Sequence, residues 1–149
     1  MVHFPGAHQH KFTYKKIKKL QNKAVRIINF KKKEDPTPPL YILNGILPIQ
    51  FNYKFLQGKF IWKLTHSQQP NRISGIFYSH GAILSDREID IQFFKYRIPN
   101  QRTSYGINFL IYSGLKTWNQ VIPNSITEIP TIRKFNRHLK CHFLNSITT

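Results

Sequence analysis

The stretch that decides the fold is Tyr14-Lys15-Lys16-Ile17-Lys18-Lys19-Leu20-Gln21-Asn22-Lys23-Ala24-Val25-Arg26-Ile27-Ile28. Ile17, Leu20, Ala24, Ile27 and Ile28 recur at the spacing of three and four residues that lines one face of an α-helix, and Lys15, Lys16, Lys19, Lys23 and Arg26 fall among the remaining positions. The spacing predicts an amphipathic, basic helix that carries its apolar stripe toward a core and its cations toward solvent or a partner.

Working outward, residues 1–13 hold Pro5, Gly6 and three histidines without periodicity and read as a flexible leader. On the other side, Glu34-Asp35-Pro36-Thr37-Pro38-Pro39 stops the helix, because proline lacks an N–H and disfavours helical geometry in the residue before it. A short helix is expected from Pro39 to Asn44, with Gly45 at its C-terminal cap. A third helix is expected from Pro48 to Thr65, with Ile49, Tyr53, Leu56, Phe60 and Leu64 as its stripe and Phe51, Phe55, Ile61 and Trp62 widening it. Residues 14–66 thus form a helical first half, and the polar, turn-rich residues 67–81 read as a loop between two halves.

In residues 82–144, Glu88 to Phe93 and Ile107, Phe109, Ile111 alternate with period two, which predicts two strands of a small β-hairpin. Gly114 is expected to turn the chain and Lys116 to Val121 to form a short helix. Pro123 and Pro130 punctuate, and Ile132, Phe135, Leu139 and Phe143 mark a final basic helix before a tail at 145–149. The expected fold class is α+β, mainly α. Trp62 and Trp118, set among apolar neighbours, read as core anchors.

Composition narrows the function. The chain has 149 residues, with 23 Lys and Arg against 6 acids, for a net charge of +17. Ten of the basic residues fall between Lys11 and Lys33 and no acid precedes Glu34, so the positive charge is concentrated in the first segment. Such a helix, without compensating acids, is suited to neutralising phosphates of RNA or DNA whatever the base sequence. The candidate nucleic-acid-binding residues are Lys15, Lys16, Lys19, Lys23, Arg26, Lys31, Lys32 and Lys33. Phe12, Tyr14 and Phe30 could stack on unpaired bases or pack on the protein's own core. Arg97, Arg102, Arg133 and Arg137 are a second basic set, for acids or for a phosphate backbone. Nothing in the sequence is apolar for long enough to span a membrane, which points to an intracellular protein. The runs Lys15-Lys16-Ile17-Lys18-Lys19 and Lys31-Lys32-Lys33 suit residence in the nucleus or cytoplasm.

Catalytic constellations are sparse. Two-metal nucleotide transfer needs clustered carboxylates, and the chain has no Asp-Asp pair; Asp86, Glu88 and Asp90 read as a solvated strand face. His138 and His142, spaced i and i+4, lack a third nearby ligand of zinc-site type and read as surface histidines. Cys141 is the single cysteine, has no activating feature, and reads as a partly buried thiol. The expectation is no catalytic residue, no metal, no cofactor, no small-molecule substrate and no membrane.

Four stretches, in order, resemble the tail of jockey-like and related non-LTR (LINE-type) retrotransposon reverse transcriptases. They are Leu20-Gln21-Asn22-Lys23-Ala24-Val25-Arg26-Ile27-Ile28; Pro39-Leu40-Tyr41 with Leu47-Pro48; Arg102-Thr103-Ser104-Tyr105-Gly106 with Tyr112 to Asn119 and Ile122 to Ile126; and Phe135-Asn136-Arg137-His138-Leu139-Lys140. The resemblance spans nearly the whole chain and departs from the family at 80–87, where His-Gly-Ala-Ile-Leu-Ser-Asp-Arg replaces an Asn-Thr-Arg element. It implies a thumb-like, post-palm region that grips template and primer and lacks the polymerase carboxylates, with an upstream polymerase core as a further partner. Two alternatives stand beside that reading: a protein-interaction module using the aromatic helix 48–65, and a decayed element with no selected function.

Overall fold

The computed structural model describes residues 6–66, 68, 98, 102–103 and 110–147. Six helices form among them: α1 (Gly6–Ile28), α2 (Pro38–Leu43), α3 (Ile49–Thr65), α4 (Leu110–Val121), α5 (Asn124–Thr127) and α6 (Ile132–Asn145). The described residues are mainly helical and contain no strand. Two compact units are distinguished, Met1–Asn52 together with Cys141–Thr149, and Tyr53–Lys140.

In the first unit, α1 begins at Gly6, inside the segment expected to be a flexible leader. Its C-terminus and that of α2 are closed by the same left-handed cap. At α2, the Gly45 N–H donates to Ile42 O at 3.0 Å and the Ile46 N–H to Tyr41 O at 2.9 Å, with Gly45 at φ 58°. This is the geometry for which glycine is favoured, since a Cβ is strained at positive φ. Ile46 then packs on the small core of Val25, Leu40 and Tyr41, joined by Ile147.

The expected apolar stripe of α1 is not the face it buries. Leu20 is 67% and Ile27 62% exposed, and Ile17 and Ile28 are exposed as well, whereas Val25 is 2% exposed. The reason lies in the polar residues beside Val25. The Gln21 amide donates from Nε2 to Leu47 O at 3.0 Å and accepts at Oε1 from the Ile49 N–H at 2.8 Å, so it bridges the backbone on either side of Pro48, which has no N–H to offer. Asn22 Oδ1 accepts the Tyr41 hydroxyl at 2.7 Å. Asn44 Nδ2 donates to Asn29 Oδ1 at 3.1 Å. Backbone groups need partners when they are buried; Gln21 supplies them around Pro48, the Asn22 and Asn29 side chains pair with those of Tyr41 and Asn44, and together these bonds fix the rotation of α1 against the segment 40–49. Phe51 and Phe143 meet in the same unit with ring centroids 5.7 Å apart.

The second unit is built around Trp62, Trp118 and Phe135, each at most 1% exposed. Phe135 lies 5.8 Å from Trp62 and 5.9 Å from Trp118 between ring centroids, and Trp62 Nε1 donates to Ile129 O at 2.9 Å. Both tryptophans are therefore the core anchors expected from their neighbours. Helix α3 has close to the expected bounds and buries part of the expected face: Leu64 of the stripe and Ile61 and Trp62 beside it are buried together with Gln57 and Gly58, whereas Tyr53 and Leu56 of the stripe are exposed. The tryptophan determines this, since burying it and its neighbour Ile61 removes more apolar surface from water than Tyr53 and Leu56 would.

Gly114 does not turn the chain. It sits inside α4, which starts at Leu110 rather than Lys116. An isolated glycine costs a helix about 1 kcal/mol, and the burial of Leu115 and Trp118 on the same helix outweighs it. Of the expected hairpin, residues 88–93 and 107–109 lie outside the described residues, and Ile111 is helical in α4. Pro123 and Pro130 punctuate the chain as expected, with the short helix α5 between them not foreseen, and α6 buries Phe135, Leu139 and Phe143 at the anticipated spacing.

Candidate nucleic-acid interface

The positions of α1 are set about 100° apart around its axis, so Lys15, Lys16, Lys19, Lys23 and Arg26 share roughly 100° of its surface. Lys15, Lys16, Lys19 and Lys23 are exposed and Arg26 is half-buried. After Ile28 the chain reverses. The Phe30 N–H donates to Ile27 O at 3.1 Å and the Lys31 N–H to Arg26 O at 2.9 Å, with Phe30 at φ 53°. This cap swings Lys31 and Lys33 back beside the last turns of α1.

The returning loop is held by two further bonds. Arg26 Nε donates to Asp35 O at 2.9 Å, and the Lys32 N–H donates to Asp35 Oδ2 at 2.7 Å. Asp35 thus spends its carboxylate on a turn, and Arg26 serves the loop as well as the helix face. The result is an open groove of about 660 Å³ lined by Lys19, Asn22, Lys23, Arg26, Ile27, Lys31 and Lys33. Five of these are cations and none is an acid, so the groove holds an uncompensated positive field of the kind that attracts polyanions.

Of the eight residues expected to bind nucleic acid, the groove therefore gathers Lys19, Lys23, Arg26, Lys31 and Lys33. Lys15, Lys16 and Lys32 are exposed outside its lining. Among the aromatic candidates, Tyr14 donates its hydroxyl to Gln50 Oε1 at 3.1 Å, and the Phe12 side chain lies outside the described residues. Arg102, Arg133 and Arg137 are exposed, and Arg97 is outside the described residues.

Asn22 and Ile27 line the groove without having been named as binding candidates from the sequence. Both lie on the turns that carry Lys19, Lys23 and Arg26, so helical neighbourhood to the cations was the available signal. Beneath the groove, burial pushes the Tyr41 hydroxyl above the ordinary phenol value; the Arg26 guanidinium opposes this and Tyr14 adds to it. Tyr41 is accordingly neutral at physiological pH and serves as a donor to Asn22.

Other chemistry is thin among the described residues. No group of three His, Cys, Asp or Glu residues is placed to hold a metal ion, and Cys141 is a free, exposed thiol rather than the partly buried one expected. Asp86, Glu88 and Asp90 lie outside the described residues. No described helix is long and apolar enough to cross a membrane. No family model, no curated protein and no solved structure matches this chain.

Proposed function

We propose that this chain binds RNA or DNA through its phosphate backbone, without sequence preference and without catalysing a reaction. The observation that carries the reading is the groove whose lining has five cations and no acid. Its lysines can each neutralise a phosphate and release counterions, and its arginine can hold phosphate oxygens by paired N–H bonds. The resemblance to the tail of a LINE-type reverse transcriptase supports the same reading: on it, the chain is the part of such a polymerase that grips template and primer, and it works in the nucleus or cytoplasm. The test is titration of single-stranded and duplex oligonucleotides at increasing salt. Five phosphate contacts weaken binding by about 10²- to 10³-fold between 50 and 200 mM salt. Salt-insensitive binding, or none, overturns the reading.

A second reading, a protein-interaction module, is favoured by a separate observation. Ile17, Leu20, Ile27 and Ile28 of α1 are exposed together on one face, and contiguous apolar surface of this kind suits a partner domain. Tyr53 and Leu56 of α3 are exposed as well. Self-association of the purified chain, lost in Leu20→Asp or Leu56→Asp with the groove untouched, would favour it; a strictly monomeric chain counts against it.

A further inference from the structure

The two left-handed caps of the first unit use the same pair of hydrogen bonds and opposite residues. Gly45 closes α2 at φ 58°, and Phe30 closes α1 at φ 53°. Glycine takes this conformation without strain. A bulky side chain at positive φ is a strained backbone outlier. Such strain is ordinarily offset by packing, but Phe30 is 97% exposed, so its ring covers nothing in the described structure. The sequence left open whether Phe30 packs on the core or faces outward, and the structure places it outward.

Its position supplies the reason. Phe30 directly precedes Lys31, and Lys31 and Lys33 line the cationic groove with Lys19, Lys23 and Arg26. A bare aromatic ring beside a cationic groove is the arrangement that single-stranded nucleic acid uses: the cations track the backbone, and an unpaired base stacks on the ring whatever its identity. The cap fixes the backbone from which the ring projects, and the ring's exposure leaves its face open to a base.

We propose that Phe30 is a stacking platform and that the ligand of the groove is single-stranded nucleic acid in preference to duplex. The proposal rests on the groove reading and adds to it the unpaired base, since the bases of a duplex are stacked on one another and do not offer a free face.

The cap makes a clean test possible. Phe30→Gly removes the ring and relieves the backbone, so the variant melts no lower than the parent. Its affinity for an unstructured single strand is expected to fall by about five- to a hundred-fold, with little change for a duplex of equal length. Phe30→Trp is expected to keep single-strand affinity and to report contact directly through quenching of the added indole. Trp62 and Trp118 are each 1% exposed and remain a constant background. The double variant Lys19→Glu, Lys23→Glu is titrated alongside.

If Phe30→Gly binds the single strand as the parent does while the Lys19, Lys23 variant loses binding, the platform is overturned and the groove stands. Equal losses on single strand and duplex overturn it too. If the parent binds neither nucleic acid, or the charge variant binds as well as the parent, the groove reading fails and the platform with it.

Discussion

Gln57 and Thr117 are joined in the interior of the second unit, the Thr117 hydroxyl donating to Gln57 Oε1 at 2.8 Å while both residues are buried. Gln57 Nε2 in turn donates to Ser113 Oγ at 2.7 Å, so one glutamine of α3 grips two successive turns of α4. A buried polar network of this kind stabilises when complete and is costly when broken, because the abandoned partner has no water to turn to.

The first prediction follows from that asymmetry. Gln57→Leu should destabilise by about 1–3 kcal/mol, and Thr117→Val by a similar amount. The double variant should cost less than the sum, since each change strands a group that the other removes. Urea unfolding of the four proteins gives the coupling. Strict additivity would show that the two side chains do not depend on each other.

The two described glycines of α3 and α4 should respond to alanine with opposite signs. A Cβ on Gly58 would lie 2.6 Å from Ile122 Cδ1 and 3.0 Å from Leu139 Cδ2, both on buried side chains, so Gly58→Ala forces the core to shift. Its loss from overpacking is expected to exceed the gain in helix propensity, giving a net destabilisation of about 1 kcal/mol, larger for Gly58→Val. At Gly114 the nearest atom to a Cβ is Ile61 Cδ1 at 3.4 Å, an ordinary contact. Gly114→Ala should therefore raise the unfolding midpoint by up to about 1 kcal/mol of added stability. A calorimetric melt of each variant decides the sign.

Tyr41 ties stability to alkaline pH. Its hydroxyl is pushed above the usual phenol value by burial, against the pull of Arg26. A group whose pKa is raised on folding contributes its stability in full below the unfolded value of about 10, and loses it as pH rises through the folded value. Tyr41→Phe should cost about 1 kcal/mol at neutral pH through the lost bond to Asn22. The difference between parent and variant should then shrink above about pH 10. A difference that is constant from neutral to alkaline pH would exclude this linkage.

Arg26 should behave differently from Lys23, although both line the groove. Lys23 is exposed, whereas Arg26 holds the carbonyl of Asp35 and thereby the loop that carries Lys31 and Lys33. Lys23→Ala is expected to reduce the slope of log affinity against log salt by about one contact and to leave the melting point within about 0.5 kcal/mol of the parent. Arg26→Ala should lower the melt as well as the affinity, by about 1–2 kcal/mol of stability. Parallel melts and salt titrations separate the two roles.

Much of this architecture is readable locally. The proline run at 36–39, Gly45 as the cap of α2, the bounds of α3 and the spacing of Phe135, Leu139 and Phe143 depend on residues a few positions apart. So does the gathering of cations on one face of α1. What escaped was the choice of buried face. An apolar stripe predicts burial only if a partner surface is there to receive it, and for Ile17, Leu20, Ile27 and Ile28 the described structure offers none. Gly114 escaped for a related reason: a helix breaker by propensity is retained in a helix whose neighbouring positions pack well.

The sequence by itself determined that this chain would be helical and basic, with its cations crowded into the first segment, because periodicity, capping and charge are properties of neighbouring residues. Only the tertiary structure decided that α1 packs through Gln21, Asn22 and Val25, that Lys31 and Lys33 return beside Lys19 and Lys23, and that Phe30, next to Lys31, stands bare. Those outcomes rest on side-chain hydrogen bonds to groups 19 to 28 residues away along the chain and on a backbone reversal of opposite hand, and neither leaves a periodic mark in the sequence.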